Sequence, residues 1–124
     1  MRVTCVIASV CLIATAGFAG AAAAQARLTV QQLREMCAAT EPQRQSTCNA
    51  YVAGVRHTLD VFKNSLKQRL NYCIPPTVTN IEIRDAFVRW AEANPTAAAQ
   101  AAVGGIIRTV HSVYPCKKGE PVEF

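Results

Sequence analysis

The chain has 124 residues, with thirteen lysines and arginines against eight acids for a formal charge of +5. That length holds one small domain and excludes a multidomain architecture. The basic residues are scattered, with no run longer than Lys117-Lys118, so the charge marks no nucleic-acid tract.

The chain opens on a segment that reads as a leader rather than as part of a fold. Arg2 is followed by a nearly unbroken apolar run from Val3 to Phe18, then by small residues, Gly20 to Ala24, and by Gln25 and Ala26. A positive charge, a short apolar core and an A-x-A ending are the three parts of a secretory signal peptide. The sequence assigns residues 1–24 to it, and cleavage after Ala24 or after Ala26 satisfies the small-residue rule. The run is shorter than the roughly 20 residues that span a bilayer, so no membrane attachment is expected after cleavage. Cys11 follows Ala8, Ser9 and Val10, which lack the leucine of a lipoprotein site. Removal of the leader leaves about 100 residues, expected as a single helical domain over 27–116 and a polar tail over 117–124.

Thr29 to Ala38, TVQQLREMCA, predicts a short first helix. Thr29 caps it, and Val30, Leu33, Met36 and Cys37 share a face. Thr40 to Ser46 is polar, contains Pro42 and predicts a loop. A long amphipathic helix is expected from about Thr47 to about Asn71, capped by Ser46 or Thr47. Tyr51, Val52, Val55, Leu59, Phe62, Leu66 and Leu70 recur at steps of three and four. Asn49, Arg56, Asp60, Lys63, Asn64 and Lys67 occupy the opposite face.

Ile74-Pro75-Pro76 ends that helix, because the residue before a proline is pushed out of the α region. Thr79 and Glu82 form a capping box, and a third helix runs to about Ala93 with Ile83, Ala86, Phe87, Trp90 and Ala91 inward. Asn94-Pro95 caps and starts a fourth helix, expected from Pro95 to about Val113. Its first half is almost without bulk. Gly104 and Gly105 each cost a helix up to about 1 kcal/mol against alanine. Close approach of the helix carrying Phe87 and Trp90 would compensate, with Trp90 mostly buried there. Pro115 stops the helix. No strand-like alternation and no internal repeat is visible.

Cys5 and Cys11 leave with the leader, so Cys37, Cys48, Cys73 and Cys116 remain. An even count in a small exported domain reads as a disulfide framework, and no C-x-x-C pair offers a metal site. Short loops make successive helices antiparallel. In up-down-up-down order Cys37 and Cys48 then share one end of the bundle, and Cys73 and Cys116 another. The fold expected is all-α: a disulfide-stapled four-helix bundle with pairs Cys37–Cys48 and Cys73–Cys116.

Catalytic chemistry finds no foothold. His57 lies off the apolar face, as a solvated histidine, and His111 lies at a core boundary. No H-E-x-x-H or G-x-S-x-G motif occurs, and the cysteines are committed to bridges. Neither catalytic residues nor a metal or cofactor is expected. Arg56, Asp60, Lys63 and Lys67 line one stripe of the long helix. Pairing of Asp60 with Arg56 or Lys63 accounts for it as a solvated face, and a basic surface for an acidic partner is the alternative.

The ordered pattern C-x10-C-x-x-Y-x-x-G, C-x-P, capped helix, N-P, alanine-rich helix and aromatic-Pro-Cys is carried by Cys37, Cys48, Tyr51, Gly54, Cys73, Pro75, Pro95 and Tyr114-Pro115-Cys116. It resembles the Rap/Tai family of bacterial periplasmic immunity proteins, which includes inhibitors of peptidoglycan amidases delivered by type VI secretion. The chain departs from that pattern at Gly104-Gly105, where bulkier aliphatics are expected, and at Arg56-His57, where an acid is expected.

The resemblance implies a periplasmic or secreted, all-helical binder of a protein partner, a peptidoglycan amidase among the candidates, with no turnover of its own. A homodimer is compatible with it. Loop Asn71–Pro76 suits insertion into a cleft, because a bridge and two prolines reduce its ordering cost. The side chains expected to meet a partner are Arg56, Lys63 and Lys67 of the stripe and Asn71, Tyr72 and Ile74 of the loop. The alternative is a small periplasmic chaperone or stress protein, although few carboxylates argue against an acid switch.

Overall fold

A computed structural model of the chain describes residues 27–66 and 70–117. The expected signal peptide, Lys67 and the tail beyond Lys117 lie outside the described residues. Four α-helices follow in order: α1 Val30–Cys37, α2 Pro42–Asn64, α3 Asn80–Ala93 and α4 Ala102–Val113, with a 3-10 turn at Pro95–Ala97. They form an up-down-up-down bundle, and among the described residues there is no strand beyond isolated bridges. Phe87, Leu33, Ile83, Ile106, Val30, Val52 and Val110 are among its fully buried side chains.

Thr29 caps α1 through its hydroxyl, which accepts from the Gln32 N–H at 3.2 Å, while Gln32 Oε1 accepts from the Thr29 N–H at 2.9 Å. The box at Thr79 and Glu82 does the same for α3.

The second helix differs from expectation at both ends. It starts at Pro42, not at Thr47, because proline at N1 forfeits no helical bond and Glu41 supplies the extended preceding residue. Thr47 is inside the helix, its hydroxyl donating to the Gln43 carbonyl. The Gln45 side chain donates to the Ala39 carbonyl at 2.7 Å and closes the corner with α1. The helix ends at Asn64, and Phe62 and Leu66 are 42% and 55% exposed rather than inward. Length explains this. At 1.5 Å per residue, 23 residues span about 35 Å, while the 14 of α3 and 12 of α4 span about 21 and 18 Å. The apolar face of α2 outruns its neighbours.

The fourth helix is broken rather than continuous. Val30 and Gln31 donate their N–H groups to the Gln100 and Ala98 carbonyls at 2.9 and 3.0 Å, and Ala102 N–H donates to the Leu28 carbonyl at 2.8 Å. The first turn of α1 thus takes carbonyls that a continuous helix would keep for itself. Asn94 serves the preceding helix instead of the next, its side-chain amide donating to the Trp90 carbonyl at 2.7 Å.

Gly105 makes the close approach that its composition suggested. A Cβ there would meet Val30 Cγ2 at 2.7 Å, Phe87 at 3.1 Å and Trp90 at 3.3 Å, whereas one at Gly104 would meet nothing within 4 Å. Trp90 is half-buried, stacked 6.5 Å from Phe87. Disulfides join Cys37 to Cys48, in the second turn of α2, and Cys73 to Cys116 beyond the ends of α2 and α4.

Candidate partner-binding segment

The chain from Leu70 to Val78 has no helix of its own and is held by its surroundings. Pro75 and Pro76 prevent helix, and the Val78 N–H closes a turn onto the Pro75 carbonyl at 3.0 Å. On the α4 side, Tyr72 forms an isolated antiparallel bridge with Pro115, the Cys73 N–H donates to the Tyr114 carbonyl at 2.8 Å, and Cys73 is bonded to Cys116. On the α2 side, the Arg56 guanidinium donates to the Val78 carbonyl and, at 3.3 Å, to Asn80 Oδ1. Leu70, Ile74 and Val78 pack against the core. Asn71 and the tip Pro75–Thr77 are exposed.

The expected contact residues therefore divide. Asn71 is exposed and Ile74 is half-buried at the same segment. Tyr72 is 4% exposed and packs inward, so it holds the segment rather than offering a contact. Its ring lies 5.4 Å from that of the exposed His111. Burial, and after it the charge of Asp60, pushes its phenol up to about 12. Arg56 is half-buried and committed to the α2–α3 junction. Lys63 is half-buried on α2, Lys67 lies outside the described residues, and Asp60 pairs with neither Arg56 nor Lys63. Ala53, Arg56, His57, Asp60 and Asn80 line a shallow polar cleft of about 470 Å³.

One feature was not read from the sequence. An apolar groove of about 530 Å³ runs between α2 and α4, lined by Tyr51, Gly54, Val55, Phe62, Val103 and Ile107 among others. Burial raises the Tyr51 phenol above its usual range, opposed by hydrogen bonding with the Val103 backbone. The available clue was the length of the α2 periodicity against the shorter helices meant to cover it. Both phenol shifts lead away from neutrality, so neither tyrosine becomes a base at physiological pH. Among the described residues no group of three or more His, Cys, Asp or Glu is placed to hold a metal, and no helix is long and apolar enough to cross a membrane.

Comparison with known proteins agrees with this picture of a stapled helical binder. The family model described as Rap1a immunity proteins matches residues 29–116, from the cap of α1 to the last bridged cysteine. No curated protein and no solved structure matches the chain. An immunity protein acts by binding a protein effector, a role that needs a rigid surface and no catalytic group. With most of its length matched, the chain belongs to the Rap1a immunity protein family.

Proposed function

We propose that this protein is exported and neutralises a cell-wall hydrolase of the peptidoglycan amidase class, delivered by type VI secretion, by blocking its cleft. The observation that carries the reading is the pinned segment Asn71–Val78. Its exposed tip is fixed from α4 by the Cys73–Cys116 bridge and from α2 by Arg56. A segment ordered before binding loses little conformational entropy on entering a cleft, which is what a tight steric inhibitor requires. Two disulfides fit an oxidising compartment, in line with the leader read from residues 1–24. The reading is tested with purified peptidoglycan amidases of the type VI effector class, by following release of soluble peptidoglycan fragments. Inhibition saturating at one chain per enzyme supports it, and undiminished cleavage at a large excess of the chain contradicts it.

A further inference from the structure

The two bridges stand in opposite surroundings. Cys37 and Cys48 are 6% and 0% exposed, inside the corner where α1 meets α2. The Gln45 side chain closes that corner a second time, on the Ala39 carbonyl. Cys73 and Cys116 are both half-buried, and neither lies in a helix. Cys116 stands between Pro115 and Lys117, both exposed, whereas Cys73 follows the buried Tyr72. Besides the bridge, the backbone of this segment is tied to the end of α4 by the pairing of Tyr72 with Pro115 and by the Cys73 N–H on the Tyr114 carbonyl.

We propose that Cys73–Cys116 is a thiol–disulfide exchange site, open to a reduced C-x-x-C oxidoreductase while Cys37–Cys48 stays closed, and that its reduction releases segment 70–78 from α4 with the bundle still folded. Access sets the order. Exchange needs a thiolate to reach a sulfur of the bridge, so an exposed bridge is labile and a buried one is structural. The approach is at Cys116, whose chain neighbours are both exposed. The oxidoreductase thiolate bonds to Cys116 Sγ, and the electron pair of the broken bridge leaves on Cys73 Sγ. The second thiol of the oxidoreductase then displaces Cys116. The oxidoreductase dithiol ends as its own disulfide, and two electrons and two protons pass to Cys73 and Cys116. After cleavage the α4 side keeps two backbone pairings, each worth little net against water. The core from Val30 to Val110 and the inner bridge are untouched, so the segment opens locally while the helices persist. Exchange and release need no amidase. Only their consequence for inhibition rests on the reading above.

The test treats the folded, oxidised full chain with reduced thioredoxin, a C-x-x-C dithiol, regenerated by its reductase and NADPH. Thiols are alkylated at intervals and mapped by mass. Cys73 and Cys116 should become alkylated at least about tenfold faster than Cys37 and Cys48, with the helical circular dichroism retained. Thioredoxin lacking its second cysteine should be trapped on Cys116. Chymotrypsin reads the release, because Tyr72, 4% exposed, must leave the core before the Tyr72–Cys73 bond can be cut. That cleavage should rise severalfold on reduction, and should be as fast in Cys73→Ser/Cys116→Ser without reductant. Thiols appearing together at both bridges, or thioredoxin trapped on Cys37 or Cys48, overturn the proposal. So do loss of the helical signal with the first bridge and cleavage at Tyr72 that is the same before and after reduction.

Discussion

Gly104 and Gly105 are neighbours in one helix with opposite surroundings, and they make the packing testable atom by atom. Alanine at 105 places a methyl against Val30, Phe87 and Trp90, and overpacking of this kind costs about 1–3 kcal/mol. Alanine at 104 meets open space and removes the entropic cost of a helical glycine, a gain of up to about 1 kcal/mol. Thermal melts should therefore move in opposite directions, and only Gly105→Ala should change Trp90 fluorescence. The need for close approach was legible in the glycine pair, but which of the two faces the core depended on a helix start that the sequence had placed seven residues too early.

Tyr72 offers a second test. Its buried hydroxyl has no hydrogen-bond partner, so Tyr72→Phe should be neutral or stabilising by up to about 1 kcal/mol. The folded phenol is raised from near 10 to about 12. Its contribution is complete below pH 10 and is lost as pH rises through about 12. Denaturant melts from pH 9 to 12 should show a steeper loss for the parent chain than for Tyr72→Phe. As a loop aromatic, Tyr72 read from sequence as a contact. It packs inward where the segment is tied to Tyr114–Cys116, pairings that span more than forty residues and that no local pattern reveals.

At the scale of elements, caps and periodicity were readable where the determinant is local. Thr29, the Thr79–Glu82 box and the inward faces of α1 and α3 depend on residues within one or two turns. In the box, the Thr79 N–H and hydroxyl hold the Glu82 carboxyl below its ordinary range. The break before α4 was not readable, since Ala98–Ala101 is helical by propensity and is overridden by Leu28–Gln31 pairing beside it. The far end of α2 was misread for a related reason, because apolar spacing records which side a residue takes and not whether a neighbour reaches it.

The bridges should differ in weight. Cys73–Cys116 closes 43 residues and Cys37–Cys48 only 11, a difference of roughly 1 kcal/mol from loop closure alone. Cys73–Cys116 also anchors the segment and the end of α4, whereas the other bridge holds a short helix already tied at its first turn to Gln100 and Ala98. Serine pairs compared by thermal melting should show the larger loss for Cys73→Ser/Cys116→Ser. Equal losses would mean that the α4 end is held by packing and not by the bridge.

For the whole molecule, the bundle and its family follow from features spread over nearly all of residues 29–116, and each part constrains the next. Antiparallel order sets which cysteines meet, the second bridge sets where the segment after α2 lies, and Arg56 sets its far end. Of the basic stripe, Arg56 is spent inside the molecule, on the Val78 carbonyl and Asn80 Oδ1. The pinned segment and the apolar groove between α2 and α4 are features that the charged helix face did not suggest.

The proposal that rigidity of Asn71–Val78 underlies inhibition is tested most directly by Pro75→Gly/Pro76→Gly, titrated against a purified peptidoglycan amidase effector beside the parent chain. Each proline restricts the unbound backbone by about 0.4–1 kcal/mol. The double substitution should weaken inhibition on the order of tenfold while leaving the melting of the helical bundle nearly unchanged. Inhibition as tight as that of the parent chain, at equal stability, would contradict the account.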